Sequence, residues 1–344
     1  MRRPAIIGII VSILSFAVAP LASAHEAYVL PASEFDAGLK IFAQHPFAPL
    51  IDAVHLHTFF FIALCVTISY ILSFLWSTTS WSDFLDRIVK KAAVAGPLII
   101  RLAVCASFFY SAQANVMLGP ELPLSILPGG PLIRFLLFIL AFMILLGIFT
   151  EAAGAISLVL FAILCWHFGW YMATYANYFA ELAVLMVFGS RFLSLDRLFY
   201  GEKRWWSGLA RYVSLEIPFV RVFYGIGLAY AGYTIKFVHQ NLTIDVYNQY
   251  HLVNFFHASA GFIAAGAGLA EITIGVLVIL GFAMRWTILI SLAFITLSIL
   301  YFQELLWPHF ILYGISFSLL INSGDLFTAD HWIVPWLKKL VHRA

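Results

Sequence analysis

Nine stretches of the chain, near residues 51–76, 94–118, 132–149, 153–172, 174–190, 216–238, 261–282, 286–303 and 307–322, are apolar over much of a bilayer's thickness. A helix needs about 20 such residues to cross a hydrocarbon core roughly 30 Å thick. In lipid every backbone N–H and C=O must be satisfied internally, which leaves the helix as the form such segments take. The sequence therefore predicts an all-α membrane protein with about nine transmembrane helices. Composition agrees: of 344 residues, 63% are hydrophobic and 10% charged, against about 25% charged in a soluble domain. There is too little polar surface to cover a globule of this size in water.

The N-terminus follows a separate logic. Arg2 and Arg3 precede AIIGIIVSILSFAVA, and PLASAHE follows with a small-x-small site at Ala22-Ser23-Ala24. This is the pattern of a cleaved secretory signal, which would leave His25 as the first mature residue on the outer side. Lysine and arginine in the short loops give the direction of each span. Arg87, Lys90 and Lys91 follow the first span, and Arg191, Arg197, Lys203, Arg204 and Arg211 lie in the central linker. Arg285 and the tail residues Lys338, Lys339 and Arg343 continue the alternation, while the intervening loops GPELPLSILPGG and HQNLTIDVYNQYHLVNFFHASA carry neither residue type. The expectation is a cytoplasmic-membrane protein with its N-terminus outside and its C-terminus in the cytoplasm. The basic residues are topogenic, so the formal charge of +2 gives no reason to expect a nucleic-acid partner. WIVPWLKKLVHRA, from residue 332, is too short to cross and reads as an interfacial segment.

Two parts of the chain can be laid over each other. Residues 142–198 align with 276–332 at an offset of 134, which sets Gly147 on Gly281, Ser194 on Thr328 and Asp196 on Asp330. Further upstream the offset is 120, and Arg101 corresponds to Arg221. Each unit has four spans, an even number, so both enter the membrane from the same side as a parallel repeat. The resulting order is a signal peptide at 1–24, an outer N-terminus with the first span at 25–93, and a first four-helix repeat at 94–198. A basic linker at 199–215, a second four-helix repeat at 216–332 and an interfacial tail at 333–344 complete it.

The second repeat carries three motifs in order. The first is R-x3-GxG-x4-AG-x3-K, realised as Arg221, Gly225, Gly227, Ala231, Gly232 and Lys236. The second is LAEITIGVLVILGFAMRW, with Glu271, Gly275, Gly281 and Arg285, and the third is NSGDLFTAD. Together they resemble the DoxX-like family of membrane proteins over residues 216–332. Residues 94–198 look like a degenerate copy that keeps Arg101 and LSLD, has Leu137 in place of Glu271 and has no match for Lys236. The resemblance implies four-helix membrane bundles, two here plus one extra N-terminal span. It also implies kinship with a family in which some members are subunits of thiosulfate:quinone oxidoreductases. Others accompany oxidant-defence proteins, and most have no assigned activity.

The charges inside the spans are the candidate site. Arg221 and Lys236 lie about 22 Å apart along one helix, less than the hydrocarbon thickness. Glu271 falls near the midplane of its own span, where a lone carboxylate costs about 2.5–3.5 kcal/mol. It is expected to be protonated or to meet a cation, with Arg221 as the first partner and Lys236 as the second. Glycines at 225, 227, 232, 261, 266 and 268 permit close helix contact. Two readings of the pair stand open. It locks two helices together, or Glu271 and Arg221 form a proton or carrier site, with Lys236 and Arg101 as candidates for contact with a quinone.

The histidines give a further candidate. His25, His45, His55, His57, His167, His239, His251, His257 and His309 all fall on the expected outer side. His25, with its free amine after cleavage, and His239, His251, His257 and His309 would form a copper or zinc site if they converge. Otherwise they are ordinary interface residues. Cys65, Cys105 and Cys165 are isolated in apolar segments, which leaves disulfide, c-type haem and thiolate zinc sites unsupported. GIGLAYA lies inside a span with no strand before it and is no dinucleotide fingerprint.

The leading expectation is a subunit of a quinone-linked redox system with lipid around it and a periplasmic redox partner. The alternatives are a transporter or assembly factor held by a structural Arg–Glu pair, and an outer-face copper- or zinc-binding membrane protein.

Overall fold

A computed structural model describes residues 30, 32–189, 193–201, 212–322 and 327–341. The signal-peptide segment, His25 and most of the basic linker lie outside the described residues. The described chain is helical apart from a small antiparallel ribbon, β1 (Val116–Met117) with β2 (Gly119–Pro123). Its principal helices are α1 (Leu56–Ser77), α2 (Ser80–Ala92), α3 (Gly96–Ala114), α4 (Gly130–Leu146), α5 (Thr150–Phe168) and α6 (Ala176–Phe188). They continue with α7 (Glu216–Tyr233), α8 (Ala260–Leu280), α9 (Met284–Phe302), α10 (Phe310–Ile321) and α11 (Ala329–Val341).

Each apolar stretch read from the sequence holds one of these helices. Six helical segments are long and apolar enough to cross a membrane, and α4 and the helical segment Trp307–Ile321 are shorter. One of the six, Thr150–Phe188, is a hairpin and not a single rod. Gly169 (φ +57°) ends α5, and Gly154 of α5 lies so close to α6 that a Cβ there would sit 2.4 Å from the Met186 backbone nitrogen. The chain must therefore reverse between them.

Three segments expected as loops are ordered differently. The GPELPLSILPGG segment forms β2 of the ribbon and a 3-10 turn, and the long loop after α7 contains helices Gln240–Gln249 and Leu252–Phe256. Residues 80–92 form the amphipathic α2, whose N-cap Thr79 accepts a hydrogen bond from the Ser82 backbone N–H. This helix is tied to α9 by the ion pair Asp86–Arg285 and to α11 by Asp83–Lys338, the latter at 2.6 Å.

The halves are not two separate bundles. The first and last helices of each, α3, α6, α7 and α10, pack together at the centre, α3 on α10 and α6 on α7. Helices α4 and α5 flank one side and α8 and α9 the other, and one continuous apolar cluster, from Val104 and Leu137 to Val278 and Ile315, runs through both. Helix α1 stands outside with none of its residues buried. It touches α9 through Tyr70 with Thr287 (3.0 Å) and Trp286 with Ser69 (3.3 Å).

The bundle has two chemically distinct ends. At the clasp end, the Asp330 carboxylate accepts the backbone N–H groups of Ala283 and Met284, both at 2.7 Å. Asp196 accepts those of Phe149 and Thr150 at 2.9 and 3.2 Å. Each aspartate thus satisfies free N–H groups at the start of a helix, where negative charge is also favoured by the dipole. Each aspartate also donates its own backbone N–H to a glycine carbonyl, Asp330 to Gly281 (3.2 Å) and Asp196 to Gly147 (2.9 Å). The opposite end holds the β-ribbon, the 3-10 turn Gly169–Tyr175 and the two short helices after Val238.

Candidate functional site

Between the halves, at the ribbon end, lies a cavity of about 640 Å³. Its walls are mainly apolar and aromatic, including Tyr247, Phe255, Phe294, Tyr301 and Phe302. Its polar lining comes from many elements: Glu121 of β2, Tyr171 and Tyr175 of the 3-10 turn, Asn177 and Tyr178 of α6, Tyr224 of α7, Lys236, Glu271 of α8, Ser291 and Ser298 of α9, Glu304 and His309.

Glycines bring Lys236 and Glu271 together. Helices α7 and α8 run antiparallel, and a Cβ at Gly225 would lie 2.5 Å from the Gly275 carbonyl oxygen; Gly275 faces the Gly225 carbonyl equally closely. Seven residues on, Gly232 faces Gly268 and Glu271, and Gly268 faces Lys236. This register sets the Lys236 Nζ 3.4 Å from Glu271 Oε1. A single π-turn at Thr234–Val238 ends α7 there and turns Lys236 into the bundle, leaving it 6% exposed.

Arg221, the expected first partner of Glu271, is not the one with which it forms an ion pair. The same register carries Arg221 to the end of α8, where its guanidinium donates to the carbonyls of Val278 (3.0 Å) and Ile279 (2.6 Å) and to Phe327 (2.9 Å). A helix C-terminus presents free carbonyls and negative dipole, and a buried cation satisfies both. Arg101 makes the matching bond to Leu193 (2.7 Å). Both arginines belong to the clasp end, away from the cavity lining. Of the anticipated glycines, Gly266 faces open space and Gly261 meets only Pro49.

Two further carboxylates close the ribbon end. Glu121 receives the hydroxyls of Tyr175 and, at 3.1 Å, Tyr171. Burial pushes its carboxyl above the ordinary glutamate value, and the hydrogen bonds from Tyr175, its own backbone and Tyr171 oppose that only in part. Glu304 receives the Ser298 hydroxyl and faces His309, with Oε2 2.8 Å from Nε2. His309 Nδ1 lies 2.9 Å from the Leu305 carbonyl, which only accepts, so Nδ1 carries a proton.

The histidines expected on the outer side do not gather. His239 is buried with Nδ1 on the Ile41 carbonyl (3.0 Å), His251 and His257 are exposed at left-handed positions (φ 57° and 51°), and His309 is held by Glu304. Among the described residues no three histidine, cysteine, aspartate or glutamate side chains form a metal-binding group. The copper or zinc reading thus finds no donor set there, and His25 falls outside the described residues.

Sequence reasoning overlooked Asn177 and Glu181, one turn apart on α6. A glutamate within ANYFAELAVLMVF was a visible signal, since an ionisable residue in an apolar span points to function.

A helical bundle whose long apolar helices are suited to crossing a bilayer, with a charge-lined cavity between them, is the build of a multi-pass membrane protein. Comparison of the chain with protein-family models, curated proteins and solved structures returns no match.

Proposed function

We propose that this chain is a DoxX-like protein of the cytoplasmic membrane, a subunit of a quinone-linked redox system, whose ribbon-end cavity receives the carrier from the outer side. The observation that carries the reading is the cavity itself: mainly apolar walls, several hundred cubic ångströms of volume and a few convergent polar groups are the features of a small-molecule site. A quinone needs a flat apolar slot and hydrogen-bond donors for its carbonyls. The aromatic walls and the Lys236 ammonium fit both needs. Bound there, a quinone would supply electron and proton acceptance. Lys236 would hold and orient it by donating to a carbonyl, and Glu271, 3.4 Å from that ammonium, would stabilise the cation and take or return a proton. Glu121 and the Glu304–His309 pair, at the outer mouth, would exchange protons with the periplasm.

We also infer that the halves descend from one duplicated unit. The clasps support this: Asp196 with Phe149 and Thr150 matches Asp330 with Ala283 and Met284 at the offset of 134, and Leu193 matches Phe327 as acceptor for Arg101 and Arg221.

The test is extraction of the purified protein with organic solvent, followed by chromatography for quinones and by titration with a short-chain ubiquinone analogue. Bound quinone near one per chain, or saturable binding that Lys236→Met weakens about tenfold or more, is the expected outcome. Protein with neither bound quinone nor saturable binding would instead favour a transporter or assembly factor.

A further inference from the structure

Asn177 and Glu181 lie four residues apart on α6 and so share a helix face. Glu181 has 0% exposure, and neither of its carboxylate oxygens has a hydrogen-bond partner. Asn177, 3% exposed, lines the cavity, and its side-chain nitrogen also has no partner. Buried polar atoms are almost always hydrogen-bonded, so three such atoms on one buried face require an explanation.

Tyrosines and arginines on the neighbouring elements have partners of their own, and among the described residues none bonds to Glu181. Tyr178, on α6 itself, bonds to Ser107 of α3 (2.6 Å), and Tyr224 of α7 bonds to Ser291 (3.1 Å) and Ser316 (2.8 Å). Arg221 of α7 and Arg101 of α3 hold carbonyls at the clasp end, and Glu151 of α5 lies against Gly189 there. A bare carboxylate charge in these surroundings costs far more than the neutral acid. The neutral acid still has an O–H to donate, and no described protein atom receives it. One water between Glu181 and Asn177 would accept from the acid O–H and the amide N–H and donate to the acid carbonyl.

We infer that Glu181 is a proton-binding residue in the membrane interior, connected to the cavity through Asn177 and a bridging water. In the transfer, Glu181 first gives up its resting proton by the reverse of the path that reloads it; in reloading, an O–H or N–H bond on a donor in the cavity breaks and its electron pair stays with the donor. The proton joins the water, and a second proton leaves that water for a Glu181 oxygen. The reverse sequence returns it, with no oxidant or reductant involved. The inference is independent of the carrier, because any protonated group in the cavity can serve as donor.

Infrared spectroscopy of the full chain in lipid nanodiscs, with no ligand added, tests this apart from the quinone reading. At neutral pH the wild type is expected to show the C=O stretch of a protonated carboxylic acid, which shifts on transfer to D2O and is lost in Glu181→Gln. Asn177→Leu is expected to keep the band and slow its deuterium shift by about tenfold or more, because the hydrogen-bonded link is gone. If Glu181→Gln does not assemble, Glu181→Asp must move the same band. A spectrum in which neither substitution at 181 alters such a band overturns the inference. So does a deuterium shift equally fast in Asn177→Leu and wild type.

Discussion

In the first half of the chain Asp196 gathers the backbone N–H groups of Phe149 and Thr150; in the second, Asp330 gathers those of Ala283 and Met284. Arg101 and Arg221 each donate to a carbonyl of the segment that closes their half. At the ribbon end this likeness gives way. The position of Glu271 is occupied by the buried Leu137, and where the second half has a π-turn and Lys236 the first has a β-ribbon and Glu121. The offset of 134 even sets His309 on Tyr175, each facing a buried carboxylate, one as imidazole and the other as phenol. Groups that close a helix end are constrained by backbone geometry, which both halves share. Groups that face a cavity are constrained by what the cavity does, and among the described residues only the second half supplies an ion pair there.

The largest effect is expected where the halves differ most. Glu271→Leu leaves the Lys236 ammonium buried without its carboxylate, and breaking such a pair costs about 3–5 kcal/mol. The double variant Glu271→Leu/Lys236→Met should recover most of the thermal midpoint in detergent. Leu137→Glu, the reciprocal change, should also destabilise, because it buries a carboxylate where the first half has no counterpart of Lys236 and where Arg134, on the same helix, already donates to the Ala112 carbonyl. A tolerated Leu137→Glu would erase the distinction drawn between the two ribbon ends.

The clasps give a graded pair of smaller effects. Removing a carboxylate that caps a helix costs about 0.5–2 kcal/mol. Asp330→Ala should sit at the upper end of that range and Asp196→Ala lower, because the bonds of Asp330 are shorter, 2.7 Å against 2.9 and 3.2 Å. Thermal midpoints in one detergent compare them directly, and the reverse order would show that the clasps are not equivalent devices.

The smallest effect is a slope. Burial raises the Glu121 carboxyl above the ordinary value of 4.5, so in this range the folded protein binds more protons than the unfolded chain. Its contribution to stability is therefore fully present below about pH 4.5 and is lost as pH rises through the raised value. Glu121→Gln should flatten that part of the pH–stability curve. An unchanged slope would mean that the two tyrosine hydroxyls offset the burial of the charge.

Much of this architecture was legible in the sequence because it follows from simple periodic demands. Apolar runs become helices since lipid offers the backbone no other partners, and each of the nine stretches holds one. LSLD and FTAD could be matched because a capping aspartate works through its spacing to the backbone. The partner of Glu271 was not legible, because it depends on helix register. Gly225 and Gly275 set that register through contacts below ordinary Cβ distances, and it carries Arg221 past Glu271 to the end of α8. Glu121 and Tyr175 come from segments distant in sequence, so no local pattern announced their meeting, whereas Glu304 and His309 lie five residues apart and meet within one turn of chain. Glu181 is legible as an ionisable residue inside an apolar span, but it belongs to none of the three motifs.

The measurement that bears most directly on this division of labour is the affinity for a short-chain ubiquinone analogue in wild type, Glu271→Gln and Asp330→Asn, each assembled and compared at one pH. Asp330→Asn is expected to lower the thermal midpoint and leave affinity within about twofold of wild type, since it acts far from the cavity. Glu271→Gln is expected to keep the midpoint near wild type while affinity falls about tenfold, as the ammonium of Lys236 loses its charged partner. Equal affinities in Glu271→Gln and wild type, or a loss confined to Asp330→Asn, would contradict the account.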